Sequence, residues 1–560
     1  MKRTIEKYKL VVNDVPADIT IYTDTDKEYV PIYELMFPMI EPATEAVLDS
    51  VREKMVEELE IRPAEILNPE EADKIKKKFS ERTAELIKKK LPNLPDDKQK
   101  ALLGILLHQS LGLGPIEIML QDRSLEEIVI NSAKGPIWVY HIKLGWLKTN
   151  LTISSEDQIY NYAASIGRRV GEQITNLNPL MDAYLTSGDR TNATLFPISS
   201  QGNTLTVRKF ARRPWTMTDF IEMGTLTPEV AAFLWLSIQY ELNIVIAGGT
   251  ASGKTSFLNA LTCFIPPNHR ILSIEDTREI QLPYFLHWVP LTTRPPNPEG
   301  RGEVTMLQIM INSLRMRPDR MIVGEMRRKE EAQVLFEAIN TGHSVYSTLH
   351  ANTAEEAFRR LVNPPIDVPA ALLGGLQIIA VMHRDRRRNI RRVLQIAELI
   401  PSSGLKETRI DLNTVYQWIA SEDKITPVSK SYRVINEIKL YTGMSERDID
   451  NDIKEKTKIL AWMVKNQVKD INEFGRIISE YYRNPDMVLT MVSKGESPHK
   501  IVESLEKKMK GKIMPDVSSK PVLIKSMETR TMSAPGKGKT SRPATRPASK
   551  PAKHARSGKR

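Results

Sequence analysis

The chain has 560 residues, enough for several domains each with its own core, and its 41% apolar share is ordinary for a soluble globular protein. Cys263 is the sole cysteine, which excludes an internal disulfide and a cysteine-rich zinc site. The net charge of +11 belongs to the end of the chain: residues 501–560 hold sixteen Lys and Arg against four Asp and Glu, leaving the body before them at −1. In chain order, the opening MKRTIEKYKL lacks the apolar centre of a secretion signal. Residues 1–95 read as a helical, charged region after a short strand pair, YKLVV and DITIYT, closed by the turn-rich LPNLPDD. Residues 96–215 read as an α+β domain, with EEIVIN, IWVYHI, NATLFPI and TLTVRKF as its short strands. A linker, 216–235, leads by a helical approach into residues 236–400.

There strands and helices alternate. NIVIAG, RILSIED, RMIVGE and SVYSTLH are strands, and KTSFLNALTCFI, VTMLQIMINSLRM and EEAQVLFEAINTG are helices. The strands are continuous apolar runs, as in a parallel sheet covered on both faces. No run reaches the ~18 apolar residues of a membrane span. The nearest, VPAALLGGLQIIAVM, is short and holds Gln377. A cytoplasmic protein is expected. Residues 401–500 read as helical and charged. The tail 501–560, rich in Pro, Ser, Ala, Lys and Arg, has too little to bury and is expected to be disordered. It would suit acidic lipid headgroups, whereas the lack of aromatics to stack on bases speaks against a specific nucleic-acid partner.

GGTASGKT fits G-x-x-x-x-G-K-[ST] between a strand and a helix, the context a phosphate cradle requires. Gly248, Gly249, Thr250, Ala251, Ser252 and Gly253 would turn backbone N–H groups toward a nucleoside triphosphate, and the helix opening at Lys254, Thr255 and Ser256 would present its positive end. Lys254 is expected on the β- and γ-phosphates and Thr255 on Mg²⁺.

Further groups stand where predicted strands end, which is where open α/β sheets hold ligands. Glu275 and Asp276 close ILSIED, and either could orient or deprotonate water, although a lone acid there is more often a cap or surface group. Glu325 closes MIVGE and is the candidate Mg²⁺-side acid, acting through water. His343 and His350 flank SVYSTL, with His350 the stronger candidate for sensing a γ-phosphate. Phosphoryl transfer also calls for arginine, and Arg190, Arg208, Arg315 and Arg317 are candidates.

With these residues assembled, the chain resembles the secretion-superfamily ATPases that drive type II secretion, type IV pili and the archaellum. Four boxes carry the resemblance in order: GGTASGKT, IEDTREI, LRMRPDRMIVGEMR and TGHSVYSTLHAN, over roughly residues 96–400. The Gly-Glu ending of MIVGE is this family's normal form. The resemblance implies a RecA-like motor domain behind an α+β N-terminal domain, with a C-terminal helical extension. It implies a homohexamer that hydrolyses ATP with Mg²⁺ at the inner face of the membrane and acts on a polytopic membrane platform protein. It implies Glu275 as the catalytic acid, Glu325 as the Mg²⁺-side glutamate, His350 as the phosphate sensor, and Arg190 and Arg208 as arginines reaching in from the N-terminal domain. The single cysteine departs from members that carry a four-cysteine zinc subdomain. The wording is most similar to archaeal members of the pilus-assembly type, with the archaellum motor as the alternative. A RecA-type DNA-translocating motor is a further alternative.

Overall fold

The computed structural model describes residues 2–502, apart from 27, 38–40, 59–68, 111, 171, 186–187, 211–212, 295, 297–299 and 404–407. Nine strands form a first sheet: β1 (Lys2–Val12), β2 (Val15–Asp24), β3 (Ile32–Met36), β4 (Leu125–Ile130), β5 (Pro136–His141), β6 (Gly145–Thr152), β7 (Leu180–Tyr184), β8 (Arg190–Thr194) and β9 (Thr204–Arg208). Their order is β1-β2-β3-β6-β5-β4-β9-β8-β7, antiparallel except where β3 joins β6. β1 and β2 turn on Asn13 and Asp14, both at positive φ, which a two-residue hairpin favours at such residues. β5 alternates strictly, with Ile137, Val139 and His141 inward, and that period of two leaves one face for helices.

The strand pair expected near the start is therefore present, but it does not belong to a separate helical region. Val15, Ala17, Ile19 and Ile21 of β2 share one core cluster with Ile128 of β4 and Val139 of β5. Beyond them, Leu48, Val51 and Met55 pack with Phe79, Leu86, Ile87 and Leu106, so the helices on either side of residue 95 share apolar contacts too.

Residues 216–235, expected as a linker, are instead part of two capped helices, Met217–Glu222 and Pro228–Gln239. Thr216 and Asp219 make a capping box; Thr227 caps the second helix, with Pro228 at its first turn. Val230 to Ile238 are all buried, which a surface connector would not be.

The second sheet contains β10 (Ile244–Gly248), β11 (Ile271–Glu275), β12 (Trp288–Thr292), β13 (Arg320–Val323), β14 (Ser344–Leu349), β15 (Ile378–Asp385), β16 (Ile390–Ser403), β17 (Thr408–Ile419) and β18 (Lys424–Pro427). The order is β12-β11-β13-β14-β10-β15-β16-β17-β18. It is parallel from β12 to β15 and antiparallel from β15 to β18. Every residue of β10, β11, β13 and β14 is buried, as in a parallel sheet covered on both faces. The apolar run 368–382 is accounted for by the short helix Ala370–Leu373 and the buried start of β15. Among the described residues no helix is long and apolar enough to cross a membrane.

The sheet does not stop at residue 400. β16 to β18 carry it to Pro427, so the helical extension begins at Arg433 rather than 401. TRIDLNTVYQWI alternates apolar and polar residues only as far as Asn413, and a bulge around Val415 then breaks the period. Four helices follow: Arg433–Thr442, Glu446–Lys465, Ile471–Arg483 and Pro485–Lys494. They dock on the second sheet's helices through an aromatic cluster. Trp235 stacks on Phe264 at 5.1 Å and meets Tyr481 edge-on at 5.1 Å. The buried Lys456 ammonium lies 5.3 Å from the Trp235 ring, where it also pairs with Asp452. The tail expected to be disordered lies, from Glu503, outside the described residues.

Candidate functional site

β10 delivers Gly248 to the carboxyl edge of the second sheet, and the chain there must fold back on itself. A Cβ at Gly248 would stand 2.4 Å from the Ser252 hydroxyl and 2.7 Å from the Met382 carbonyl, so a side chain would force the loop open. Ala251 (φ 58°) and Gly253 (φ 90°) take left-handed conformations that bring the chain round to the helix Lys254–Thr262. The first amides of that helix, on Lys254, Thr255 and Ser256, have no intrahelical acceptor. Gly249 and Thr250 edge a cleft of about 240 Å³ that His350, Ala351, Asn352, Glu356 and Arg360 complete.

Three more strands end beside this loop. β11 ends in Glu275, which is 2% exposed. Its Oε1 accepts the backbone N–H groups of Glu279 (2.9 Å) and Ile280 (3.0 Å), and its Oε2 has no partner among the described residues. Burial pushes its pKa up to about 7 against those two hydrogen bonds. A carboxyl so placed can take or give a proton near neutral pH. Asp276 beside it is exposed and ion-paired.

β13 continues through Gly324, whose N–H donates to Ile274, into Glu325. Here Glu325 Oε1 lies 2.9 Å from His350 Nε2, and Arg327 bridges Glu325 (2.7 Å) to Asp276 (2.9 Å). His350, after β14, turns Nδ1 toward the Lys254 ammonium at 3.5 Å. Burial, and then the Lys254 charge, lower the pKa of His350. A neutral ring thus donates from Nε2 to Glu325 and accepts at Nδ1 from Lys254. Burial also lowers the pKa of Lys254, with Glu325 and Glu279 opposing it. Its Nζ donates to the Gly249 carbonyl at 3.3 Å.

The other candidates lie elsewhere. His343 precedes β14, at the opposite edge of the sheet, where its ring meets Thr341 and the Ala338 carbonyl. Arg315 and Arg317 are exposed before β13, at that same far edge. Arg190 and Arg208 stand opposite each other on β8 and β9 of the first sheet, and Arg190 pairs with Asp182 (2.9 Å). The carboxyl of Glu126 on that sheet feels the charges of Arg391, Arg208 and Arg384. Arg391 in turn donates to the Ala251 carbonyl of the glycine loop at 3.3 Å.

Sequence reasoning overlooked Arg327, Arg360 and Arg391. Arg360 donates to the His350 carbonyl and so braces that turn. The signals available were the MRRKE that follows Glu325 and the run RDRRRNIRR, whose abundance of arginine concealed which member mattered.

Among the described residues no three His, Cys, Asp or Glu cluster as a metal cage. The donor set suits instead a divalent ion brought in by phosphate oxygens, with Glu325 at the adjoining strand end and the Ser252 hydroxyl buried without a partner among the described residues.

A parallel α/β sheet with a glycine loop opening a helix, and acids and a histidine on the adjoining strand ends, defines a P-loop protein of the α/β class. A family model described as type II/IV secretion system protein matches residues 187–377. The uncharacterized protein MJ0900 of Methanocaldococcus jannaschii is 32% identical over 485 residues, covering 85% of this chain and 82% of that protein. The type IV secretion system protein PtlH of Bordetella pertussis is 31% identical over 264 residues, 43% of this chain and 77% of that one. Among solved structures, the VirB11 ATPase of the Brucella suis type IV secretion system aligns at 23% identity with a TM-score of 0.26, covering 50% of this chain and 94% of that chain. The chain belongs to the family of type II/IV secretion system proteins.

Proposed function

We propose that this chain is a motor ATPase that hydrolyses ATP to power assembly of a type IV pilus-like filament, or secretion, through a polytopic membrane platform protein. It works as a homohexamer at the cytoplasmic face of the membrane. The observation that carries the reading is the meeting of four adjacent strand ends: the glycine loop after β10, Glu275 after β11, Glu325 after β13 and His350 after β14.

In this reading residues 248–256 hold the phosphates, with Lys254 on the β- and γ-phosphates. Thr255, and Glu325 through water, would hold Mg²⁺, which when bound neutralises and orients phosphate oxygens. Glu275 takes the proton of the attacking water, and its pKa of about 7 suits that task. His350 exchanges its bond to Lys254 for one to the γ-phosphate. Arg208 and Arg190 approach from the first sheet to meet charge that builds during transfer. The two sheets are already joined near this edge: Arg384 bonds the Tyr140 hydroxyl, and Asn389 donates to the Lys143 carbonyl at 2.8 Å. A shift in phosphate contacts can therefore move one sheet's helices against the other's, which is the kind of domain motion a motor uses.

The test is Glu325→Gln. The variant is expected to bind ATP as the parent does and to lose hydrolysis by about 10²-fold or more. A variant that turns ATP over at the parent's rate overturns the assignment.

A further inference from the structure

Beyond Glu275 the chain runs close against the helix that follows the glycine loop. The Gln281 N–H donates to Asn259 Oδ1 of that helix at 2.7 Å, and Ile280 and Leu282 are buried. The outer side of this segment is covered by the helix Ile471–Arg483, nearly two hundred residues on in the sequence. At Gly475 the two approach so closely that a Cβ would stand 2.4 Å from Cγ of Pro283, 2.9 Å from its Cβ and 3.3 Å from Phe285 Cζ. One turn earlier, Asn472 Oδ1 accepts the Tyr284 N–H at 3.1 Å. One residue after Gly475, the Arg476 guanidinium bonds the Tyr284 hydroxyl and lies 5.7 Å from its ring. The helix is itself fastened to the motor sheet. The Tyr482 hydroxyl donates to the Phe264 carbonyl at 2.7 Å and accepts from Trp235 Nε1 at 2.8 Å.

We propose that the helix Ile471–Arg483 is a positioning element for Glu275: by clamping residues 283–285 it fixes the two backbone amides, on Glu279 and Ile280, that hold this carboxylate. The inference rests on the reading of Glu275 as the acid of ATP hydrolysis. Pro283 is three residue steps on from Ile280, a reach of about 10 Å when extended. Proline fixes φ within that span, and buried side chains on either side leave little slack, so a displacement at Pro283 reaches the amides. Asn472 and Gly475 act through this backbone and are positioning residues. The helical extension is thus a brace for the reaction centre as well as a cover for the sheet.

The experiment uses the full chain with Gly475→Val, Asn472→Ala and Asn472→Asp, the last of which keeps the acceptor for Tyr284. Steady-state ATPase kinetics are measured together with amide hydrogen exchange of residues 279–286. Because a misplacement of about 1 Å can cost up to about 100-fold, Gly475→Val is expected to lower kcat by about tenfold or more with KM within about threefold. Asn472→Ala lowers kcat by about threefold, Asn472→Asp restores it, and exchange of 279–286 quickens in step. In a Glu275→Gln background Gly475→Val adds no further loss, since the brace acts through that carboxylate.

Unchanged exchange in Gly475→Val, an unchanged kcat despite faster exchange, or an equal loss in the Glu275→Gln background each overturns the proposal. A parent without turnover overturns the functional reading and this one with it. An active parent, a slow Glu275→Gln and a parent-like Gly475→Val together sink the brace alone.

Discussion

The two nine-stranded sheets place their polar groups differently. In the second sheet β10, β11, β13 and β14 are buried along their length, and the ionisable side chains that matter gather where the strands stop. In the first sheet the antiparallel strands alternate, so Glu126, Glu127, Arg190 and Arg208 lie along a face and at strand ends instead of inside. A parallel sheet covered on both faces has only its tips to offer for chemistry. An antiparallel sheet has an open face, which suits contact with another surface. On the proposed reading, hydrolysis falls to the second sheet and engagement to the first, with the two arginines as the point at which that division is tested.

Arg208→Ala makes the largest break. If the first sheet supplies charge to the reaction, kcat for ATP falls by about 10³-fold or more in the assembled protein, while nucleotide affinity holds. A parent-like rate would confine chemistry to the second sheet. Glu275→Gln comes next, with a loss of about 10²-fold or more and ATP binding retained in an equilibrium titration.

The pH profile sharpens the same point. Burial raises the pKa of Glu275 to about 7, so it carries a proton below that pH and is a competent base above it. Turnover is expected to climb as pH rises through about 7, and that limb is expected to vanish from the residual activity of Glu275→Gln. The smallest effect belongs to the first sheet. The Tyr33 hydroxyl donates to buried Asp122 at 2.8 Å, and Tyr33→Phe is expected to cost about 1–2 kcal/mol in denaturant unfolding without altering nucleotide affinity.

What was legible in the sequence was local. The glycine loop declares itself because its residues are contiguous, and Glu275, Glu325 and His350 stand out because each closes a predicted strand within a box of the family resemblance. The meeting of Glu325 with His350 was not legible, because alternation of strands and helices implies a parallel sheet without saying which strands lie side by side. What escaped depended on partners far along the chain. YKLVV and DITIYT read as a strand pair apart from the following domain because nothing nearby says that the inward face of Val15 to Ile21 meets Ile128 and Val139. β17 escaped although Asp411 and Asn413 alternate with Ile410 and Leu412, because the period breaks at a bulge around Val415 and pairing with β16 decides its state. Nothing in the sequence around Gly475 tells of Pro283, nearly two hundred residues earlier, against which it packs. Arg391 was one arginine in a run, distinguished only by the carbonyl it reaches.

The seam between β3 and β6 is narrow, with Ile32 opposite Lys148 and Tyr33 opposite Thr149. What reinforces it is side-chain work: Asn150 bonds both the N–H and the carbonyl of Leu35, Lys148 pairs with Glu28, and Tyr8 and Tyr33 share Asp122. Main-chain ladders are indifferent to residue type, whereas these latches are not. The apolar core shared with Ile128 and Val139 supplies adhesion without a fixed partner, so it is Asn150, Lys148 and Asp122 that dictate which strand can lie at this seam.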